Sequence, residues 1–124
     1  MEIFIMSSYS KTGFFTKLVG VTFDNNNGTS RQQFLEDIYE SFDINTKTFL
    51  TAKRDLDNPY DDKAVAIYDS QERQLGYLSR KVNETVAPWM DEGFDLLVEV
   101  VNVTGGEGSH WGLNIWVEKK KKSA

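Results

Sequence analysis

The chain has 124 residues, of which 14 are Lys or Arg and 19 are Asp or Glu, so its formal net charge is −5 at pH 7. This length is typical of a single domain, and 40% hydrophobic residues are sufficient for one core. The chain has no cysteine, which excludes disulfide bonds, thiolate catalysis and cysteine-containing zinc sites.

The charge is unevenly distributed along the chain. Four lysines form the run at residues 119–122, so residues 1–118 carry 10 basic and 19 acidic groups, a balance of −9. General binding to the phosphate backbone depends on many Lys and Arg contacts, so any nucleic-acid role must be local. A like-charge run at a terminus is typical of a disordered, solubilising tail.

The two ends of the chain set the expected domain limits. Glu2 stands where a signal peptide has basic residues, and no apolar run approaches the length of a membrane span. We therefore expect a soluble, cytoplasmic protein with no membrane partner. Residues 13–118 are predicted to form one domain, between an N-terminal extension at residues 1–12 and a basic C-terminal tail at residues 119–124.

The first half of the chain predicts a strand, a helix and a second strand. The segment 13–23 is aromatic and β-branched and ends in polar turn residues, which is typical of a strand. Ser30 and Gln33 form a capping box. Apolar residues then recur at helical spacing, namely Phe34, Leu35, Ile38 and Phe42. Residues 47–55 alternate as a second strand does.

The second half predicts a hairpin, another helix and two more strands. Residues 63–69 and 73–79 form the hairpin, and Ser79 caps a helix that stops before Gly93 and is kinked or tightened by Pro88. The last two strands, at residues 94–103 and 111–118, are joined by a glycine-rich loop at residues 104–110. The connections are too short for parallel crossovers, so we predict a mainly β fold, a closed or partly open antiparallel β-barrel flanked by two helices.

An acidic cluster raises the alternative of a metal site. Four aspartates lie within eight residues, namely Asp55, Asp57, Asp61 and Asp62, and Mg²⁺ prefers oxygen ligands. The spacing matches no known metal loop, and acidic residues around Pro59 are typical of a solvated turn. The surface turn is favoured, and we predict no metal and no cofactor.

No residue pattern indicates an enzyme. His110 is the only histidine and lies in the glycine-rich loop, where a solvent-facing side chain is expected. No serine stands in a nucleophile-elbow pattern to partner it. A strand rather than a helix follows the loop, so it lacks the context of a phosphate-binding loop. We interpret it as a flexible hairpin connection.

The aromatic residues fall into two groups. Core packing is the default for most of those on patterned strands or helices, namely Phe14, Phe15, Phe23, Trp89 and Trp116. Tyr60, Tyr77 and Trp111 lie at element ends, where an aromatic can stay partly exposed and stack on a base. Half of the ten basic residues outside the terminal run flank the turn and the hairpin, namely Lys53, Arg54, Lys63, Arg80 and Lys81.

The predicted hairpin brings several of these residues together. Its first strand begins beside the end of its second, so Tyr60 and Asp61 are expected near Tyr77 and Arg80. The result would be a small patch of aromatic, carboxylate and cation. A surface hairpin with ordinary charge pairing is the open alternative.

The ordered set of segments resembles the HIRAN domain family. The match runs from about Val19 to Val117, through VGVTF, RDLDNPYDDKAVAIY, QLGYLSRKV, APWMDEG, VVNVTGG and GLNIWV. The resemblance implies an OB-like β-barrel with two helices. In the best understood members, which are attached to helicase-type DNA remodelling proteins, it also implies a pocket for the free 3′ end of single-stranded DNA.

The resemblance also implies roles for individual residues. Tyr60 and Asp61 match the Tyr-Asp pair that contacts the terminal nucleotide and its 3′-hydroxyl. The other matching pocket positions are Phe23, Tyr77, Arg80 and Trp111. Two positions depart from the family pattern: a phosphate-gripping arginine aligns with Thr22, and an asparagine after the turn is replaced by Lys63.

Residues and resemblance together lead to one leading prediction and one alternative. The leading prediction is a stand-alone, bacterial or phage-type family member that binds single-stranded DNA 3′ ends without catalysis, in DNA repair or replication. Its partners would be single-stranded DNA and a helicase or other DNA-processing protein. The alternative is a protein–protein interaction module on the same barrel, and Thr22 and the net charge favour it.

Overall fold

The computed structural model describes residues 12–122. Within this range strands and helices follow one another in the order that the sequence predicts. They are β1 (Gly13–Lys17), α1 (Arg31–Ser41), β2 (Phe49–Arg54), β3 (Val65–Tyr68), β4 (Gln74–Tyr77), α2 (Arg80–Asp91), β5 (Phe94–Gly106) and β6 (Ser109–Lys122). Most of the N-terminal extension predicted at residues 1–12 lies outside the described residues.

The strands form one antiparallel sheet that curls on itself. Their spatial order is β1-β6-β5-β2-β3-β4. Just after β1, Val19 pairs with Tyr77 of β4, each N–H donating to the other's carbonyl at 2.9 Å. The two ends of the strand order therefore meet, and the predicted mainly β fold, a partly open barrel with two helices, is confirmed.

Gly76 allows this closure because it brings two backbones close together. A Cβ atom at Gly76 would lie 2.6 Å from the carbonyl oxygen of Val19, which is closer than real Cβ contacts come. The chain after Lys17 does not continue as a ladder, so the strand predicted over residues 13–23 ends earlier than expected. Leu18 still donates to the Leu113 carbonyl at 3.0 Å and Val19 pairs with Tyr77 before the chain turns away.

Buried apolar side chains from both helices and the curled sheet form one core. Leu35 of α1 and Val86 of α2 are both fully buried in it, together with Ile67, Leu75 and Ile115 from the sheet. This burial orients the helices, so the first turn of α2 lies against the turn between β2 and β3, where its residues contact Tyr60 and Asp61.

The predicted helix boundaries are confirmed by their caps. Ser30 Oγ accepts a hydrogen bond from the N–H of Gln33 at 3.1 Å, and Ser79 Oγ accepts one from Val82 at 3.3 Å. Each serine thus satisfies an N–H group that has no partner within its helix. The second helix ends at Asp91, before Gly93 as predicted.

The prediction of a flexible loop at residues 104–110 is wrong. β5 continues to Gly106 and β6 begins at Ser109, so only Glu107 and Gly108 form the turn. Both have positive φ, 50° and 92°, which is the turn geometry that fits the twist of a tight hairpin. The glycine at 106 is needed for packing, because a Cβ there would lie 2.7 Å from the Trp111 ring.

The prediction of a disordered tail is also wrong for residues 119–122, because β6 runs through them. Lys119 is paired with Leu96 of β5, and Lys122 with Phe94. The Lys119 ammonium lies 4.6 Å from the centre of the Phe94 ring. A long antiparallel partner supplies backbone hydrogen bonds and an aromatic surface, which outweigh the repulsion between neighbouring lysines.

No helix within residues 12–122 is long and apolar enough to cross a membrane.

Candidate nucleic-acid interface

Asn58 organises the turn that joins β2 to β3. Its Oδ1 accepts hydrogen bonds from the N–H groups of Tyr60 at 2.9 Å and Asp61 at 3.0 Å. The Asp61 carbonyl in turn accepts from the Ala64 N–H at 3.1 Å. This is the side-chain mimic of a backbone turn for which Asn is favoured. It leaves the Tyr60 side chain 82% exposed at the tip.

The Asp61 carboxylate is held on both of its oxygens. Oδ1 accepts from the N–H of Lys63 and Oδ2 from Nδ2 of Asn83, both at 2.9 Å. The Asn83 hydrogen bond is the largest influence on the carboxylate and lowers its pKa below the ordinary value of 3.8. The Lys63 N–H and the charges of Arg80 and Arg54 act in the same direction, against partial burial. Asp61 is therefore ionised at neutral pH and is an acceptor only.

Asn83 lies on the buried face of α2 and is only 2% exposed. Besides Asp61, its Nδ2 contacts the Leu78 carbonyl at 3.3 Å. Its Oδ1 is buried without a hydrogen-bond partner in the described part of the chain. An unpartnered buried acceptor is costly, so the position is not optimised for stability alone. It does fix the orientation of the Asp61 carboxylate.

Arg80 reaches the same turn from the exposed start of α2. Its Nη2 donates a hydrogen bond to the carbonyl oxygen of Tyr60. Tyr60, Asp61 and Arg80 are therefore neighbours, as the hairpin predicted.

Tyr77 joins this group through a chain of hydrogen bonds. Its hydroxyl donates to Asp55 Oδ2 at 2.8 Å, and the same oxygen accepts from Asn58 Nδ2 at 3.3 Å. The Arg31 guanidinium lies 5.4 Å from the centre of the Tyr77 ring and donates to the Gly20 carbonyl at 2.8 Å. The half-buried Tyr77 is thus fixed on both its hydroxyl and its ring.

Phe23 lies beside Tyr77 and points to solvent. It is 70% exposed, so the core packing that is the default for aromatics on patterned strands does not apply to it. The physical reason is that the chain leaves β1 at Lys17 and turns at Gly20, whose carbonyl accepts from the Phe23 N–H at 3.4 Å. A Cβ at Gly20 would lie 3.7 Å from Tyr77 Cδ1 and 3.9 Å from Phe23 Cδ2, so the two rings flank this glycine.

Phe15 also differs from the core prediction. It is 59% exposed on β1, where its ring packs edge-on against Trp116 at 4.7 Å between centroids. Trp116 is 5% exposed and lies in the core as predicted.

Trp111 lies in a different environment. Its ring packs against Tyr39 of α1, with 4.9 Å between ring centroids. Gln32 holds its backbone, accepting from the Trp111 N–H at 2.7 Å and donating to its carbonyl at 2.9 Å. Among the hydrogen bonds and ring contacts of residues 12–122, none joins Trp111 to Tyr60 or Asp61.

Several exposed apolar side chains belong to residues next to Tyr77 or to its hydrogen-bond partners, although others, among them Phe15, Tyr39 and Ile44, lie elsewhere. Val19, whose backbone pairs with Tyr77, is 42% exposed, and Leu56, which follows Asp55, is 75% exposed. With Phe23 and Tyr60 they give this face an apolar surface of a kind that suits ring stacking. The exposure of Leu56 was not predicted, because a single leucine in a polar turn gives no periodic signal.

The acidic turn forms no metal centre among the described residues, where no group of three or more His, Asp or Glu side chains could hold an ion. Asp55 and Asp61 instead accept the hydrogen bonds described above. Arg54 pairs with both carboxylate oxygens of Asp91, at 3.0 and 3.4 Å, and donates to the Asp62 and Ala64 carbonyls at 3.1 Å. Arg54, one of the basic residues that flank the turn, is thus occupied in holding the backbone of residues 62 and 64.

Three residues of this network were missed as functional candidates. The sequence indicates Asp55 only as a possible metal ligand and gives no signal for Arg31. Asn83 could have been found, because it is a polar residue on the apolar stripe of the second helix, three positions before Val86. Such a break in the stripe indicates a buried hydrogen bond.

Comparisons with known proteins agree with this architecture. A family model of the HIRAN domain matches residues 12–120. No curated protein sequence matches the chain. A crystal structure of a Lactobacillus plantarum protein is similar, with 24% identity, a TM-score of 0.58, and 84% of this chain and 91% of that one covered.

A crystal structure of the HIRAN domain of human HLTF is also similar, with 18% identity and a TM-score of 0.56. It covers 88% of this chain and 77% of that one. At these identities the two structures support the fold. The family model spans nearly the whole described range, so the chain belongs to the HIRAN domain family, which is known for DNA binding.

Proposed function

We propose that this protein binds single-stranded DNA without catalysis and recognises a free 3′-hydroxyl end. The observation that carries the proposal is the Asp61 carboxylate, which is ionised, held by Asn83 and the Lys63 N–H, and placed next to the exposed Tyr60. A carboxylate fixed in this way is ready to accept a hydrogen bond before a ligand arrives.

The chemistry of the end explains the selectivity. A terminal hydroxyl donates its hydrogen to a carboxylate in a short, charge-assisted bond. Each carboxylate oxygen can accept about two hydrogen bonds, so the single protein bond on each oxygen of Asp61 leaves room for one from the ligand. A 3′-phosphate would instead bring an anion against an anion and would be disfavoured.

The aromatic side chains supply contacts that do not depend on sequence. Tyr60 and Phe23 are largely exposed, and the Arg31 guanidinium lies over the Tyr77 ring. An aromatic face can stack on any base, which contributes about 1–3 kcal/mol per base. The exposed Leu56 adds apolar surface next to this group.

The charge distribution fits the capture of an end rather than of a long strand. Arg80 is exposed at the turn, whereas the position of the family arginine is held by the exposed and uncharged Thr22. One or two phosphate contacts suffice for a terminal nucleotide and predict a shallow salt dependence. Such a module would act in DNA repair or replication, beside a helicase or another DNA-processing protein.

Fluorescence anisotropy with short single strands that end in 3′-hydroxyl or 3′-phosphate tests the proposal, at low and moderate salt. We expect tighter binding of the hydroxyl end by the wild type, and no preference in Asp61→Asn, which has the same shape without the charge. Asp62→Asn is the matched control, because its side chain is exposed and makes no hydrogen bond among residues 12–122.

Two results would contradict end recognition. Equal binding of both ends by the wild type would remove the role of Asp61. The absence of binding to either end would reject DNA recognition and favour the protein-interaction alternative.

A further inference from the structure

A second concave surface lies beside the β3–β4 hairpin. It is a groove of about 510 Å³ between the loop Asn25–Asn27, Phe34 of α1 and the hairpin residues Tyr68, Arg73 and Gln74. We call it the amide groove, because side-chain amides line it from two directions. Its size is within the range of small-molecule sites.

The amide groove is built on anchored elements. Asn25 donates from Nδ2 to the Gln74 carbonyl at 3.0 Å and accepts from Arg31 Nε at 2.7 Å. The Asn25 N–H also donates to the Thr29 carbonyl at 2.9 Å, which closes the loop. The loop is therefore fixed to β4 and to α1, and the groove exists before any ligand binds.

The acidic groups at the groove outnumber the basic ones, because Glu72 also lines it. The only cation among its lining residues is Arg73, whose Nε and Nη1 lie 2.8 Å from Asp69 and 3.1 Å from Asp37. The guanidinium also stacks 4.4 Å from the centre of the Phe34 ring. With two carboxylates already on Arg73, the groove offers little attraction to an anion such as phosphate. It suits a neutral ring with polar edges.

The groove also presents unused hydrogen-bonding groups. Nε2 of Gln74 is buried and has no partner within residues 12–122. The exposed side chain of Asn26 makes no hydrogen bond in the same range. An amide offers both donors and acceptors, which is what the edge of a nucleobase requires. Rotation of the Gln74 side chain into the groove would let a bound base satisfy this donor, whose burial is otherwise unfavourable.

The amide groove adjoins the Tyr77 side of the candidate interface. Arg31 contacts both, since it lies over the Tyr77 ring at 5.4 Å and donates to Asn25. Tyr68, which lines the groove, has its pKa raised first by burial and then by the charges of Tyr77 and Asp55. A strand that ends at Tyr60 can therefore continue towards the groove.

We propose that the amide groove is a second subsite, which binds a nucleobase of the same single strand, upstream of the 3′ end. The inference rests on the proposed function, and it adds that a strand is held at two places. The terminal nucleotide is recognised at Asp61 and a preceding base by Gln74 and Asn26. The recognition of that base is by neutral hydrogen bonds, without a phosphate contact.

The test uses 3′-hydroxyl oligonucleotides of one length in which a single abasic site is moved stepwise from the end, with binding measured by anisotropy. We expect a second sensitive position, separate from the terminal nucleotide, at which loss of the base weakens wild-type binding about three- to tenfold. Gln74→Ala should weaken binding of the intact strand by a similar factor and make that position insensitive. Asn26→Ala should act in the same direction.

Matched controls separate recognition from folding. Gln71→Ala lies in the same hairpin but does not line the groove, and Asn45→Ala lies in another loop; both should bind as the wild type does. Gln74→Ala removes no protein hydrogen bond and removes an unpartnered buried donor, so its thermal stability should not fall. A fall in stability that accounts for the weaker binding would overturn the proposal.

The remaining outcomes distinguish the two proposals. If 3′-hydroxyl strands bind in an Asp61-dependent way but no upstream abasic site matters, the subsite is refuted and end recognition stands. If upstream sites matter equally in the wild type and Gln74→Ala, the base binds elsewhere and the subsite is again refuted. If no 3′-hydroxyl strand binds, both proposals fail together.

Discussion

Replacing Gly76 with alanine should open the barrel where β4 meets the segment after β1. The new Cβ would lie 2.6 Å from the Val19 carbonyl oxygen and 3.2 Å from Val21 Cγ1, so the Val19 backbone must move away. That movement breaks the two 2.9 Å hydrogen bonds between Val19 and Tyr77. At about 1 kcal/mol for each bond, the free energy of unfolding should fall by about 2 kcal/mol.

For a domain of this size such a loss lowers the unfolding midpoint by about 10 °C, which circular dichroism can follow. Gly28→Ala is the control: its φ is +85°, but nothing lies within 4 Å of the new Cβ. Gly28→Ala should therefore lower the free energy of unfolding only by the cost of placing alanine in the left-handed region, about 1 kcal/mol. If Gly76→Ala unfolds no earlier than Gly28→Ala, the close approach of Val19 does not determine stability and the reasoning is refuted.

Three further predictions concern the Asp61 network. Asn83→Leu should leave the free energy of unfolding within about 1 kcal/mol of the wild type, because it removes an unpartnered buried oxygen along with two hydrogen bonds. It should also reduce the preference for 3′-hydroxyl over 3′-phosphate, and an unchanged preference in anisotropy would contradict the role of Asn83. Arg80→Ala should weaken binding of both ends alike and lower the salt slope by about one, whereas Lys47→Ala, at an exposed position in another loop, should do neither. The pKa of Asp61 is lower in the folded protein than its ordinary value of 3.8, so its stabilising effect is present above pH 3.8 and is lost as the pH falls through the folded-state value. The stability difference between wild type and Asp61→Asn, measured by urea denaturation, should therefore shrink below pH 4, and a difference that grows on acidification would disprove it.

Local patterns in the sequence predict most of the fold. The serines at 30 and 79 begin the helices because each combines a capping side chain with an apolar stripe behind it, and both signals lie within a few residues. The hairpin of β3 and β4 is equally local. The closure between Val19 and Tyr77 is not, because a single residue pair 58 positions apart leaves no periodic trace.

The proximity of the exposed candidate residues is predictable from the sequence, but the hydrogen bonds that support them are not. Tyr60 and Asp61 stand next to a turn signal, and the hairpin brings Arg80 to them. The bonds from Asn83 to Asp61 and from Tyr77 to Asp55 depend on how elements pack, which a sequence pattern does not determine. The strand at residues 119–122 is likewise not predictable from the local sequence. The pairing of a long hairpin there overrides the tendency of a charged run to stay unpaired.

The pairing of Val19 with Tyr77 has a consequence for local opening of the barrel. Among the described residues, only the Val19 and Tyr77 amides join β4 to the segment after β1 by backbone–backbone hydrogen bonds, with one more bond from the Asn25 side chain to the Gln74 carbonyl. This junction should therefore separate more readily than the longer ladders. Phe23 and Val19 lie on one side of it, and Tyr77 lies on the other. A ligand that contacts both sides would slow hydrogen exchange at the Val19 and Tyr77 amides, so the state of the barrel would report whether the interface is occupied.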